Sequence, residues 1–277
     1  MPLVDLKSVA TSSKEHGVGL GAFNVVHIES AEIFVKAAEA VNRPVVLQIS
    51  ENAAKFHGAL APITAGTLAV ARNARVPVVV HLDHAESREL ISEAIELGVT
   101  SVMFDGSKLS YADNVRITRE VVLECHEKGV SVEAELGEVG GKNGVHDPSA
   151  RTNPLEAASF VEATGVDLLA IAVGSSHAMT SRDASIDTNL VSAIASEVSV
   201  PLVLHGSSGV SDEAMLTAIK AGITKVNVST HLNVLFTKAV RQYLNLNPDV
   251  VDTRKYLQPG YEVVREEVTR LLAWYSA

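Results

Sequence analysis

Short apolar runs recur along the 277-residue chain, each separated from the next by a stretch long enough for a helix. They are "GLGAFNV" (19–25), "RPVVLQIS" (43–50), "VPVVVHLDH" (76–84), "TSVMFDGS" (100–107), "VSVEAELG" (130–137), "VDLLAIAVG" (166–174), "VPLVLHGSSG" (200–209) and "TKVNVST" (224–230). Between them the apolar positions switch to helical spacing, as in "SRELISEAIELG", "NPLEAASFVEATG" and "SDEAMLTAIKAG". These stretches open on Ser or Asn at an N-cap position and close on Gly, as helix boundaries do. Strands alternating with helices predict parallel pairing through crossover helices. Eight such units close into a (β/α)8 TIM barrel, an α/β fold. An open doubly wound sheet would carry a glycine fingerprint in its first turn, and "GAFNVVHIES" has none. No linker, low-complexity segment or charge block divides the chain, so residues 1–277 are expected to form one domain. The ending "QPGYEVVREEVTRLLAWYSA" predicts an additional C-terminal amphipathic helix.

Composition narrows the function classes. A hydrophobic fraction of 47% supplies a sizeable core. A net charge of −10 argues against nucleic acid as a partner, because such binders need a basic face to displace counterions. It leaves phosphorylated small molecules open, since backbone N–H groups bind phosphate without net positive charge. One cysteine, Cys125, excludes an internal disulfide and fits a reducing cytosol; its place in "VVLECHEKG" reads as a buried small hydrophobe. No basic start and no membrane-length apolar run is present, so neither a signal peptide nor a membrane partner is expected. The expected location is cytoplasmic.

Chemistry in such a barrel sits where strands end and loops begin. Those positions read Asn24, Ser50, Asp83 with His84, Asp105, Glu135, His177, His205, and Asn227 with Ser229 and Thr230. Solvation explains Ser and Asn at strand ends; three histidines and three carboxylates converging on one mouth call for a site. His84, His177 and His205 leave strands 3, 6 and 7 and so can surround one point near the axis. Three protein ligands with one position open is the catalytic zinc arrangement. The other histidines lie in helices or loops, apart from His81 inside strand 3, which reads as a satisfied core group or a support for the ligands. "HGSSGVS" (205–211) follows strand 7 and leads into a helix, and "NVST" (227–230) follows strand 8. Loops 7 and 8 of barrels commonly bind phosphate.

Together these segments, with "GAFNVVHIESA", "HLDHA", "SVMFDGS", "SVEAELGEVGG", "LAIAVGSSH", "LVLHGSSG" and "KVNVST", resemble the class II, zinc-dependent ketose-bisphosphate aldolases over nearly the whole chain. The compact length resembles the tagatose-type branch. The resemblance implies an enzyme that reversibly cleaves a phosphorylated ketose to dihydroxyacetone phosphate and an aldehyde. It implies one Zn2+ per subunit on His84, His177 and His205, with Glu135 and Asp105 serving an alternative metal position. Asp83 matches the acid/base carboxylate. Asn24, Ser50, Ala178, Gly206, Ser207, Ser208, Asn227, Val228, Ser229 and Thr230 match the substrate pocket. A monovalent cation (Na+ or K+) near the phosphate loop and a homodimer or homotetramer are further expectations.

The chain departs from the family pattern in two places. Ala178 stands where glycine usually follows the second zinc histidine. Lys142 and Asn143 stand where acidic residues usually follow "ELGEVGG", one of which moves the proton at the carbon that becomes the nucleophile. Glu138, or else Asp147, is the candidate to take that role, in a loop (138–147) whose glycines suit a closing lid. Two other readings stay open on the residues alone: a zinc-dependent hydrolase, and a barrel that binds a sugar phosphate without turning it over. A Schiff-base aldolase would need a lysine at the mouth; strand 6 has none, and Lys225 is expected to face the opposite end.

Overall fold

The computed structural model describes residues 2–137, 151–176, 179, 181–182 and 184–276. Eight parallel strands close into a barrel in sequence order: β1 (Leu20–Asn24), β2 (Val45–Ser50), β3 (Val78–Ala85), β4 (Ser101–Phe104), β5 (Ser131–Leu136), β6 (Leu168–Ile171), β7 (Leu202–Leu204) and β8 (Ile223–Val228). β8 returns to β1, with Leu20 opposite Lys225 and Phe23 opposite Val228. Helices follow the strands around the outside: α2 (Ile28–Val41), the short α3 (Glu51–His57), α4 (Ala61–Arg72), α5 (Arg88–Leu97), α6 (Tyr111–Glu127), α7 (Pro154–Thr164), α8 (Thr188–Glu197) and α9 (Asp212–Ala221). Their starts are the expected ones. Ser87, Ser110, Asn153 and Ser211 each accept a hydrogen bond from a first-turn N–H, and Gly98 and Gly165 end α5 and α7 in the left-handed conformation.

Period-2 alternation decides what the barrel contains. Val45, Leu47, Ile49, Val78, Val80, Leu82, Val132 and Ala134 face outward into the large apolar layer beneath the helices. The alternate positions face the axis. Near the N-terminal end they are Leu20, Ala22, Val46, Val79, Leu168, Ala170 and Val203, packed on Leu6 and Ala10 of a plug helix, α1 (Leu6–Glu15). Further up the same strands the interior turns polar, with Gln48, His81, Asp83, Glu133, Glu135 and Lys225 all buried. An apolar floor therefore carries a polar ceiling.

After β8 come its own helix, α10 (Thr230–Leu246), and the expected additional C-terminal helix, α11 (Thr253–Trp274), which carries Pro259 inside its second turn. α10 buries only Leu232. The closing helix is instead α11, which buries Val264, Val268, Leu271 and Leu272 and packs against α2 and β1. Gly260 lets α11 approach Phe236 of α10, where a Cβ would come within 2.6 Å of the ring. No helix among the described residues is long and apolar enough to cross a membrane.

Candidate active site

At the C-terminal ends of the strands lies a cleft of about 560 Å³. Asn24, Ser50, Asp83, His84, Asp105, Gly206, Ser208, Asn227, Ser229 and Thr230 line it. Glu135 and His205 lie beneath, fully buried, and Ser207 and Val228 are buried behind the lining. Three of the expected site residues, Glu138, His177 and Ala178, lie outside the described residues, as does the expected lid at 138–147.

At His84 the backbone departs from the alternation of β3. His81 and Asp83 face the axis, so alternation alone would turn His84 outward. Instead its φ is 52°, in the left-handed region, and the β3–β4 register shifts between Leu82 and Ala85. A bulge of this kind re-aims one side chain. The His84 ring is brought edge-on to the His205 ring, with centroids 4.6 Å apart, and its Nδ1 lies 2.8 Å from Asp105 Oδ2. A non-glycine residue held at positive φ costs on the order of 1–3 kcal/mol and marks functional sites.

His205 follows β7 and is clasped by both inward carboxylates of β5. Nε2 lies 3.0 Å from Glu133 Oε1, and Nδ1 lies 3.0 Å from Glu135 Oε2. Burial alone would lower its pKa; the hydrogen bonds to Glu133 and Glu135 outweigh burial and raise it to about 9. For Glu133 burial works toward the neutral form, but Lys225 and His205 hold the group ionised, well below the usual carboxylate range.

Asp83 is buried at the centre of an amide cluster. Oδ2 accepts from Asn24 Nδ2 and Gln48 Nε2, and Oδ1 accepts from Asn227 Nδ2, all at 3.4 Å. Burial would raise its pKa, yet His84, Lys225 and His205 outweigh burial and hold the carboxyl below its ordinary range. It is an ionised base at neutral pH. His81 below it is neutral, because burial and then the Lys225 charge push it down to about 3.

The opposite wall is a backbone cradle. Gly206 has φ 66°, and a Cβ there would come within 2.6 Å of the Ser176 backbone, so only glycine fits. Ser175 Oγ donates to the His205 carbonyl at 2.6 Å. The residues just before His177 are thereby packed on the turn that carries His205. Ser207 Oγ donates to the Asn227 carbonyl, and Ser208 Oγ accepts from the His231 N–H at 3.1 Å. Ser229 and Thr230 place the N-terminus of the 17-residue α10 at the cleft, a site suited to an anion. Arg182 ties the β6–α8 loop to this wall by donating to the Val210 carbonyl and to Asp212.

Among the described residues, two overlapping sets of side chains have the composition of a metal site: Asp83, His84 and His205, and His84, Asp105 and Glu135. Within each set one ligand atom per residue lies within 4.8 Å of the others. Imidazole nitrogens joined by carboxylate oxygens suit a divalent transition ion.

Sequence reading missed Gln48, Glu133 and Lys225. The last was expected at the opposite end, but it is the third residue of β8 and its amine is fully buried inside the barrel, 2.9 Å from Glu133 Oε2 and 2.8 Å from Asn227 Oδ1. All three share alternation parity with a recognised site residue on their own strand: Gln48 with Ser50, Glu133 with Glu135, Lys225 with Asn227. That parity was the available signal. The paired amine offers no Schiff-base nucleophile to the cleft.

Comparison with known proteins agrees with this geometry. The family described as fructose-bisphosphate aldolase class-II matches residues 4–277. The chain is similar to proteins named fructose-bisphosphate aldolase from Staphylococcus epidermidis and Staphylococcus aureus, each 39% identical over 272 residues, covering 97% of this chain and 95% of the relative. Among solved structures it is similar to the YdjI aldolase from Escherichia coli K12, with TM-score 0.86, 32% identity, and 99% and 97% of the two chains covered. It is also similar to a putative fructose-1,6-biphosphate aldolase from Coccidioides immitis, with TM-score 0.87, 29% identity, and 97% and 95% coverage.

Proposed function

Because this chain belongs to the class II fructose-bisphosphate aldolase family, we propose that its cleft cleaves a ketose 1,6-bisphosphate of the fructose or tagatose type around one zinc ion per subunit. The observation that carries the reading is the convergence of Asp83, His84 and His205 at the barrel mouth, opposite the Gly206–Ser208 cradle. His84, His205 and His177 are assigned as the zinc ligands, with Asp105 and Glu135 able to hold the ion in a second position. Bound there, zinc supplies a Lewis acid for the carbonyl oxygen that gains charge as the carbon–carbon bond breaks.

The chain's own residues do the rest. Asp83 accepts the proton of the hydroxyl on the carbon that leaves as the aldehyde, and returns it in the condensation direction. Its ionised state and its fixed amide partners suit that role. Asn24, Ser50 and Asn227 orient the hydroxyls. Gly206, Ser208, Ser229 and Thr230, with Ser207 and Val228 behind them, hold the phosphate of the dihydroxyacetone half, so that remote binding energy orients the reacting carbons. Glu138 is assigned the proton at the nucleophilic carbon, and Ala178, next in sequence after the assigned ligand His177, is assigned to the substrate pocket. A monovalent cation at the phosphate cradle, a cytoplasmic location and a homo-oligomeric state belong to the same reading.

The test is triose phosphate release from fructose and tagatose 1,6-bisphosphates. Release is expected from at least one of them, lost after chelation and restored by zinc. Release of inorganic phosphate alone would favour a hydrolase. Tight binding of the bisphosphates without turnover in the presence of zinc would favour a non-catalytic barrel.

A further inference from the structure

One chain of buried polar groups runs beneath the cleft and joins its two working ends. His205 Nε2 lies 3.0 Å from Glu133 Oε1, and Glu133 Oε2 lies 2.9 Å from Lys225 Nζ. Lys225 Nζ donates to Asn227 Oδ1 at 2.8 Å, and Asn227 Nδ2 donates to Asp83 Oδ1 at 3.4 Å. His205, Glu133 and Lys225 are all fully buried. Nothing else among the described residues replaces Lys225 as the link. The neighbouring His81 Nε2 is 3.8 Å from Glu133 and 4.0 Å from Asp83, and makes no hydrogen bond.

Barrel interiors are ordinarily filled by branched aliphatic side chains, and a buried ion pair is costly to desolvate. Packing alone therefore gives no reason for an ammonium at this depth. We propose that Lys225 is a positioning residue for the reaction, holding Glu133 and Asn227 in register so that His205 presents its Nδ1 and Asp83 its carboxylate to the same point in the cleft. The chemistry on the His205 side is direct. Held beside the Lys225 ammonium, the Glu133 carboxylate only accepts, so it keeps a proton on Nε2, and Nδ1 is the nitrogen from which a metal would displace the other proton. On the other side, Asn227 can donate to Asp83 only while its carbonyl oxygen is turned toward Lys225. Exchange of its amide oxygen and nitrogen would put two acceptors face to face. Lys225 thus sets the orientation of both partners without touching substrate.

This proposal rests on the zinc-aldolase reading above, and the experiment separates the two. Zinc affinity is measured by competition with a chromophoric chelator on the parent protein, on Lys225→Met, and on the double variant Lys225→Met with Glu133→Gln. Steady-state cleavage and thermal stability are measured on the same three proteins. Loss of a group that orients a metal ligand typically weakens metal affinity or activity by 10–100-fold. Lys225→Met is expected to lose about that much zinc affinity and kcat, while KM, set by the phosphate cradle, changes by less than about threefold. The single variant strands the Glu133 charge and loses stability. The double variant is expected to regain stability without regaining zinc affinity or kcat. If the double variant recovers all three, the pair is structural only and the proposal is overturned. It is equally overturned by a folded Lys225→Met with zinc affinity and kcat within about twofold of the parent. A parent protein that takes up no zinc overturns the zinc reading itself, and this inference with it.

Discussion

At the scale of single residues, the site depends on two exceptions to ordinary patterning. Asp83 keeps the alternation of β3 but carries a charge into a buried position, and His84 breaks the alternation by adopting positive φ. The sequence reveals the first, because a charge at the end of an apolar strand stands out. It conceals how the second is achieved, since neither the left-handed backbone nor the register shift leaves a compositional trace; His84 is recognisable by its neighbours, not by its geometry. Asp83→Ala is expected to keep its zinc and its fold while kcat falls by roughly 10²–10⁴, the usual worth of a positioned acid/base. Metal analysis beside turnover checks this. Near-normal kcat would assign the proton to another group, and loss of zinc would make Asp83 a ligand.

At the scale of elements, the cradle is fastened from behind by α9 and α11. Asp212 at the start of α9 accepts from Arg182 and from Arg270 of α11, and Arg270 also donates to Glu267. Glu267 Oε1 lies 2.7 Å from Nε2 of His231, in the first turn of α10. Burial alone would raise the Glu267 pKa, but Arg270 and His231 outweigh burial and lower it from 4.5 to about 2. A depressed carboxyl stabilises the fold above its unfolded pKa, and this contribution is lost as pH falls through the folded value. Glu267→Gln is therefore expected to lose on the order of 1–3 kcal/mol at neutral pH. The gap from the parent should narrow as pH falls from about 4.5 toward about 2, which urea titrations at several pH values measure. A gap independent of pH would remove the ionised carboxylate as its cause. No sequence pattern announces this fastening, because Arg182, Asp212 and Glu267 come from distant segments that only the fold brings together.

At the scale of the whole molecule, the barrel was legible because each strand and helix carries its own period and caps. The arrangement of α10 and α11 was not, since both are amphipathic and choosing the closing helix needs the shape of the surface it covers. Which polar residues face the axis needed the register of all eight strands at once. That register also fixes an order of events. The β1–β8 seam joins residues as distant in sequence as Leu20 and Lys225, the kind of nonlocal pairing that forms slowly. The Lys225 amine is expected to leave water for Glu133 only once this seam has closed, which would put the ion pair after the main barrier to folding. Its removal acts on the unfolding limb of the kinetics. Lys225→Met is expected to unfold faster in urea while refolding within about twofold of the parent rate; slowed refolding would instead put the seam in the folding nucleus. The pair that aligns the site therefore also acts as a latch on the closed ring, setting how long a folded molecule lasts rather than how quickly one is made.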